Sequence, residues 1–177
     1  RPREAADEAA VRTARRMGEL LQQRTADGYV ARVDLRLRPS PEATPIVLPV
    51  DAAISYYESQ ALAWERAAFI RARAAAGDRV LGERFLTEIR PFVWRRALDF
   101  GAIDEIRAIS GRIRDHFVQG QAFGPGFDLK RGPGGIREVE FFTQVQQLIH
   151  GGRDPSLRAP AVLDALAALV QAGRMEA

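Results

Sequence analysis

The sequence predicts an α+β chain that is mostly helical, with a short antiparallel sheet in its first half followed by a helical bundle. Three observations carry that expectation. Apolar residues recur at helical spacing over most of the chain, one stretch (29–38) alternates strictly, and near residues 91–101 strand-bearing sequence gives way to helix alone. A boundary between two domains, 1–95 and 96–177, is therefore expected. The 177 residues suffice for one domain with a hydrophobic core, or for a small domain and part of a second.

The elements follow in order. Ala6, Ala10, Ala14, Met17, Leu20 and Leu21 recur at helical spacing among charges, which predicts an amphipathic helix over 4–24, broken by Asp27-Gly28. Over 29–38, Val33, Leu35 and Leu37 point one way while Arg32, Asp34, Arg36 and Arg38 point the other, the period of a strand. Pro39, Pro41 and Pro45 mark a loop, and Ile46-Val47-Leu48 is a short apolar run, so a hairpin is expected. Helices are then expected over 50–76, over 78–98 with a bend near Pro91, and over 103–118. Residues 120–126 read as a loop, Gly132-Pro133-Gly134-Gly135 precedes a helix over 136–150, and Pro160 opens the last helix.

Composition narrows the function classes. Hydrophobic residues make up 46% and charged residues 28%, the balance of a folded chain. The net charge is +3, and 25 of the 26 basic residues are arginine, leaving Lys130 as the only lysine. Arginine's fixed fork suits phosphates and carboxylates, but a GC-rich genome produces the same usage, and no block of like charges marks a nucleic-acid surface. Without cysteine there is no disulfide, no thiolate zinc site and no cysteine nucleophile, which fits a reducing, cytoplasmic setting. No stretch approaches the roughly 18 to 20 apolar residues of a membrane span. The start, Arg1-Pro2-Arg3-Glu4, is not a secretory signal and has no initiator methionine, so a piece of a longer protein is expected.

Three clusters carry candidate chemistry. On the alternating stretch the period of two places Asp34 with Arg32, Arg36 and Arg38 on one face. Asp34 there is either a salt-bridge partner or a hard oxygen ligand for Mg²⁺, with the arginines holding phosphate groups. In the second cluster, Lys130 and Arg131 run through glycines into a helix, either a plain helix-entry turn or an anion site at free backbone N–H groups. The third, Trp64-Glu65-Arg66 with Phe69, Arg71 and Arg73, lies on a helix, where Trp64 and Phe69 read as core and Glu65 as an orienting partner. His116 and His150 have no metal-ligating neighbour at the right spacing, and no Gly-x-Ser-x-Gly elbow is present.

Taken in order, Val33-Asp34-Leu35-Arg36-Leu37-Arg38-Pro39, Trp64-Glu65-Arg66 with Arg71-Ala72-Arg73, and the run from Lys130 to Phe141 resemble the signature segments of the glutamine synthetase adenylyltransferase/adenylyl-removing enzyme family. Arg90-Pro91-Phe92-Val93-Trp94-Arg95-Arg96-Ala97-Leu98-Asp99-Phe100 and Ile149-His150-Gly151-Gly152-Arg153-Asp154-Pro155-Ser156-Leu157 are similar to that family's N-terminal half. The resemblance implies part of a polymerase-β-like nucleotidyltransferase domain followed by a helical domain. It also implies removal of AMP from a tyrosine of glutamine synthetase by phosphorolysis, giving ADP.

In that reading Asp34 is the third metal-binding carboxylate for Mg²⁺ or Mn²⁺, and the first two belong to a Gly-Ser…Asp-x-Asp segment that this sequence does not contain. Arg36 and Arg38 would hold phosphate or the adenylyl α-phosphate, Glu65 would support them, and Lys130 and Arg131 would close over the site or pack the domains. Implied partners are glutamine synthetase, the PII signal protein, phosphate and an adenine nucleotide, with neither nucleic acid nor membrane. Two rival readings stay open: the ATP-dependent adenylylating half of the same enzyme, and a docking module for glutamine synthetase or PII without a complete site. A third, a nucleotidyltransferase acting on nucleic acid, rests on the pI of about 9.9 alone.

Overall fold

The computed structural model describes residues 2–62, 64–96 and 123–176, together with 101, 104 and 108. It is mostly helical and divides into two compact units, Arg1–Ala61 and Leu62–Ala177. The boundary expected at 95/96 borders residues 97–100, which lie outside the described residues.

In the first unit, α1 spans Pro2–Gln22 and ends ahead of Asp27-Gly28, as expected. Thr25 and Gly28 exchange backbone hydrogen bonds of 2.7 and 3.2 Å across a tight turn, and the φ of +104° at Gly28 suits glycine alone. The expected hairpin is absent. Residues 29–35 carry no regular structure, 36–44 form turns and bends, and no strand occurs among the described residues beyond the isolated Thr25–Gly28 bridge. Alternation makes a strand only where one face is covered and a neighbouring chain accepts the ladder bonds. Here Leu35 and Leu37 are 46% and 54% exposed, and the Asp34 side chain takes the backbone N–H of Arg36, bending the chain locally. Ile46, Val47 and Leu48 are half-buried without pairing. Helix α2, Val50–Ser59, closes the unit around buried Tyr57, whose ring meets Tyr56 edge-on at 5.2 Å.

The second unit contains α3 (Glu65–Phe69), α4 (Arg79–Glu88), α5 (Arg90–Val93), α6 (Ile136–His150), a 3₁₀ turn (Pro155–Leu157) and α7 (Val162–Gln171). The single helix expected over 50–76 is thus two, with an interruption at 60–64. Glu65 accounts for the restart, because its carboxylate accepts the backbone N–H of Leu62 at 2.9 Å and satisfies a donor that the first turn leaves open. Asp78 caps α4 through the N–H of Leu81. The expected bend falls at Ile89, with Pro91 in the first turn of α5, where its missing N–H costs nothing. Helices α6 and α7 lie where the periodicity places them. The helix expected over 103–118 lies outside the described residues apart from Asp104 and Ala108.

The core of this unit joins Ala67 and Ile70 of the α3 region to Leu148 of α6, with Trp94 and Val145 packed against them. Leu157, Ala165 and Leu169 are wholly buried beside it. Buried Gln147 donates from Nε2 to the carbonyls of Leu157 and Ala159 at 2.7 and 2.8 Å, so the amide pins the 3₁₀ turn to α6 while its own polarity is satisfied. Arg71 and Glu140 form an ion pair at 2.9 Å that ties the segment after α3 to α6. Both side chains are partly exposed, so the pair contributes at most about 1 kcal/mol.

Candidate functional site

Asp34 is held by Arg36 through both its main chain and its side chain. The Arg36 backbone N–H reaches Oδ1 at 3.0 Å, Nε lies 2.9 Å from Oδ1, and an Nη lies 2.6 Å from Oδ2. This is a fork-on-carboxylate arrangement, made possible because a turn rather than an extended strand separates the two residues. The guanidinium hydrogen bonds, then the backbone bond, hold the Asp34 carboxyl down from 3.8 to about 2. Since the folded-state value is depressed, the pair persists above that pH and is lost as pH falls through it. Arg38 turns away, donating to the carbonyls of Leu35 and Pro41. Asp34 and Arg36 are therefore brought together, while Arg38 braces the loop.

Glu65, Lys130 and Arg131 belong to the second unit. Glu65 is buried and engaged with Leu62, next to Arg66, whose guanidinium sits 5.3 Å from the Phe92 ring. Lys130 and Arg131 are exposed, and their backbone N–H groups both donate to Asp128 Oδ1, at 2.9 and 3.1 Å. The N–H of Gly134 goes to Glu138, and those of Ile136 and Arg137 go to the carbonyls of Leu129 and Lys130. The helix entry thus meets its own carboxylates and carbonyls. Among the described residues no three histidine or acidic side chains are grouped so as to hold a metal ion.

A second constellation involves residues that the sequence did not mark as candidates. Thr87, Arg90, Pro91, Trp94 and Arg96 from one side and Gly152, Arg153, Pro155 and Arg158 from the other line an open cleft of about 770 Å³. The Arg153 Nε donates to the Arg96 carbonyl at 2.9 Å, and the Arg158 Nε to the Gly151 carbonyl at 2.7 Å, with the Arg158 guanidinium 5.2 Å from the Trp94 ring. Most of these residues fall in the two sequence segments, 90–100 and 149–157, that resemble the family's N-terminal half, while Thr87 and Arg158 lie outside them. The consecutive glycines Gly151 and Gly152 allow the close approach but do not by themselves mark it in the sequence.

His150 closes α6 beside this turn and is half-buried. Burial, then the charges of Arg174 and Arg153, push its pKa below the ordinary value of 6.5. A lowered folded-state value means that stability is intact above 6.5 and declines as pH falls through the folded value and a charge is forced between two guanidiniums. An NMR titration is expected to place the His150 midpoint below 6.5, with His150→Gln removing part of the acid sensitivity of unfolding. A midpoint at or above 6.5 contradicts the packing described.

No helix among the described residues is long and apolar enough to cross a membrane. The family model for glutamate-ammonia ligase adenylyltransferase matches residues 3–88, and that for GlnD PII-uridylyltransferase matches 107–177. Bifunctional glutamine synthetase adenylyltransferase/adenylyl-removing enzymes are similar over nearly the whole chain. That of Caulobacter vibrioides is 57% identical over 94% of this chain, and those of Agrobacterium fabrum and Rhizobium meliloti are each 52% identical over 94% and 97%. The chain spans about one sixth, 17%, of the length of these relatives. With more than half of the residues identical to the first of these relatives over nearly its whole length, the chain belongs to the glutamine synthetase adenylyltransferase/adenylyl-removing enzyme family.

Proposed function

We propose that the chain forms part of the adenylyl-removing half of such an enzyme, which releases AMP from adenylylated glutamine synthetase by phosphorolysis, giving ADP. The observation that carries this reading is the exposed Asp34 carboxylate, kept ionised at neutral pH, with the Arg36 guanidinium on it. A nucleotidyl transfer needs oxygen donors for Mg²⁺ or Mn²⁺ and fixed cations for phosphate oxygens, and this pair presents one of each. Asp34 fits a hard cation by its chemistry but supplies one carboxylate where a two-metal site takes several. The polymerase-β-like setting and the other carboxylates are therefore part of the proposal. A bound cation would neutralise developing charge on the transferred group. The chain's own contribution is to keep Asp34 ionised and to hold Arg36 where it can bind an incoming phosphate once released from Asp34. Lys130 and Arg131 would serve as exposed cations toward the nucleotide or glutamine synthetase, and the region matching the PII-uridylyltransferase model would face PII signalling.

The test is Arg36→Gln in the full-length enzyme, assayed both for phosphate-dependent ADP release and for ATP-dependent AMP attachment. Losing one charge-assisted phosphate contact is expected to raise the KM for phosphate about tenfold while leaving attachment unchanged. Loss of attachment alone moves the chain to the adenylylating half. Equal activity in both directions assigns Arg36 to local structure and favours the docking reading.

A further inference from the structure

We propose that the cleft between the 87–96 and 152–158 segments, built wholly within the second unit, is a binding site for an oligophosphate, the diphosphate of a nucleotide or inorganic pyrophosphate. Four guanidinium groups, those of Arg90, Arg96, Arg153 and Arg158, line it, and no carboxylate does. None of the four is in an ion pair among the described residues. Surface arginines usually find a carboxylate or spread apart. Here Arg90 and Arg158 oppose one another closely enough that, after burial, the charge of Arg90 is the next cause lowering the Arg158 pKa, against a smaller opposite effect from Asp154.

The walls are built to keep that arrangement. Arg158 is fixed by its bond to the Gly151 carbonyl and by the Trp94 ring, and Arg153 by its bond to the Arg96 carbonyl. Each of these two spends its Nε on a carbonyl, leaving its terminal nitrogens for a ligand. The Asp154 carboxylate, next in the chain to Arg153, is turned to the N–H and hydroxyl of Ser156 at 3.0 and 2.6 Å. Pre-set guanidiniums with no carboxylate lining the cleft favour an anion because the cost of bringing like charges together has been met by folding.

The charge count selects the ligand class. A single phosphate engages one or two arginine forks, whereas four around about 770 Å³ match an anion with two or more linked phosphoryl groups. That volume lies within the roughly 300–1,000 Å³ of small-molecule sites.

The experiment is calorimetric titration of the full-length protein with ADP, pyrophosphate, inorganic phosphate and adenosine. It is run in an Asp34→Asn background without divalent metal, to silence the other site. ADP and pyrophosphate are expected to bind with strong salt dependence, and Arg90→Gln with Arg96→Gln to weaken both at least tenfold at an unchanged melting temperature. ADP binding alone assigns the site to nucleotides, and equal binding of ADP and pyrophosphate assigns it to the diphosphate itself. Inorganic phosphate binding as tightly as pyrophosphate overturns the oligophosphate assignment. So does binding unaffected by the two substitutions, or no binding by either diphosphate. Weaker association of the double variant with glutamine synthetase, in the absence of any diphosphate binding, makes the cleft a protein contact instead.

Discussion

Asp34→Asn in the full-length enzyme is expected to lower phosphate-dependent ADP release roughly 100-fold or more, since partners one shell further from a metal already contribute about 10- to 100-fold. The substitution is close to isosteric. The amide oxygen still accepts the Arg36 backbone N–H that shapes the turn, so the local fold should persist. What disappears is the charge. With it go the hard donor that a cation needs and the counter-ion that keeps the Arg36 fork in place. Because the side chain is about half exposed, little stability depends on it, and melting temperature should barely change. ADP release followed against added Mg²⁺ or Mn²⁺ then separates the readings. Activity lost with folding intact supports a ligand role, whereas wild-type release would mean that Asp34 serves only to bend the 34–36 turn. Loss of ATP-dependent attachment with phosphorolysis intact would place the chain in the other half.

How much of this was legible in the sequence differs by element, for physical reasons. Helices α6 and α7 were readable because one stripe of their apolar positions, Leu148, Ala165 and Leu169 among them, is buried within the same unit. Helix α1 was readable from its period, although Met17 and Leu20 remain about half exposed. The strand was not. Its alternation was real, but a strand is a property of a pair, and within the described residues nothing accepts its ladder. The same residues instead satisfied one another at a separation of two, which is how Asp34 met Arg36. The break between α2 and α3 was hidden by good helix formers on both sides. Only the reach of Glu65 back to Leu62 marks it, and a capping glutamate has the same appearance in sequence as one inside a helix. The arginine cleft was illegible in another way. Arg90, Arg96 and Arg153 stood in segments that resemble the family and Arg158 just beyond one, but they are distant in sequence, and only the packing of one segment on the other reveals four like charges in one place.

That packing leads to the second large effect. Gly152→Ala is expected to destabilise the Leu62–Ala177 unit by about 3 kcal/mol or more, the upper range for overpacking. A Cβ at this position would lie 1.8 Å from the Arg95 carbonyl oxygen and 2.4 Å from its carbon. Both are backbone atoms, so no rotamer change relieves the clash. The 94–96 segment must instead move away. Its displacement would break the Arg153–Arg96 bond and disturb Trp94, which packs on the core of Ala67, Ile70 and Leu148. Gly151 adds to the constraint, since its own Cβ would meet Trp94 at 2.8 Å. For a unit of this size the loss corresponds to a fall of about 10 °C or more in melting temperature, measured by circular dichroism. Gly18→Ala is the control. In α1 nothing lies within 4 Å of the added methyl, and replacing a helical glycine should stabilise by up to about 1 kcal/mol. If Gly152→Ala melts with wild type, the two segments do not approach as closely as described. If it melts early and also loses ADP and pyrophosphate binding in proportion, the glycine pair is what assembles the arginine cleft.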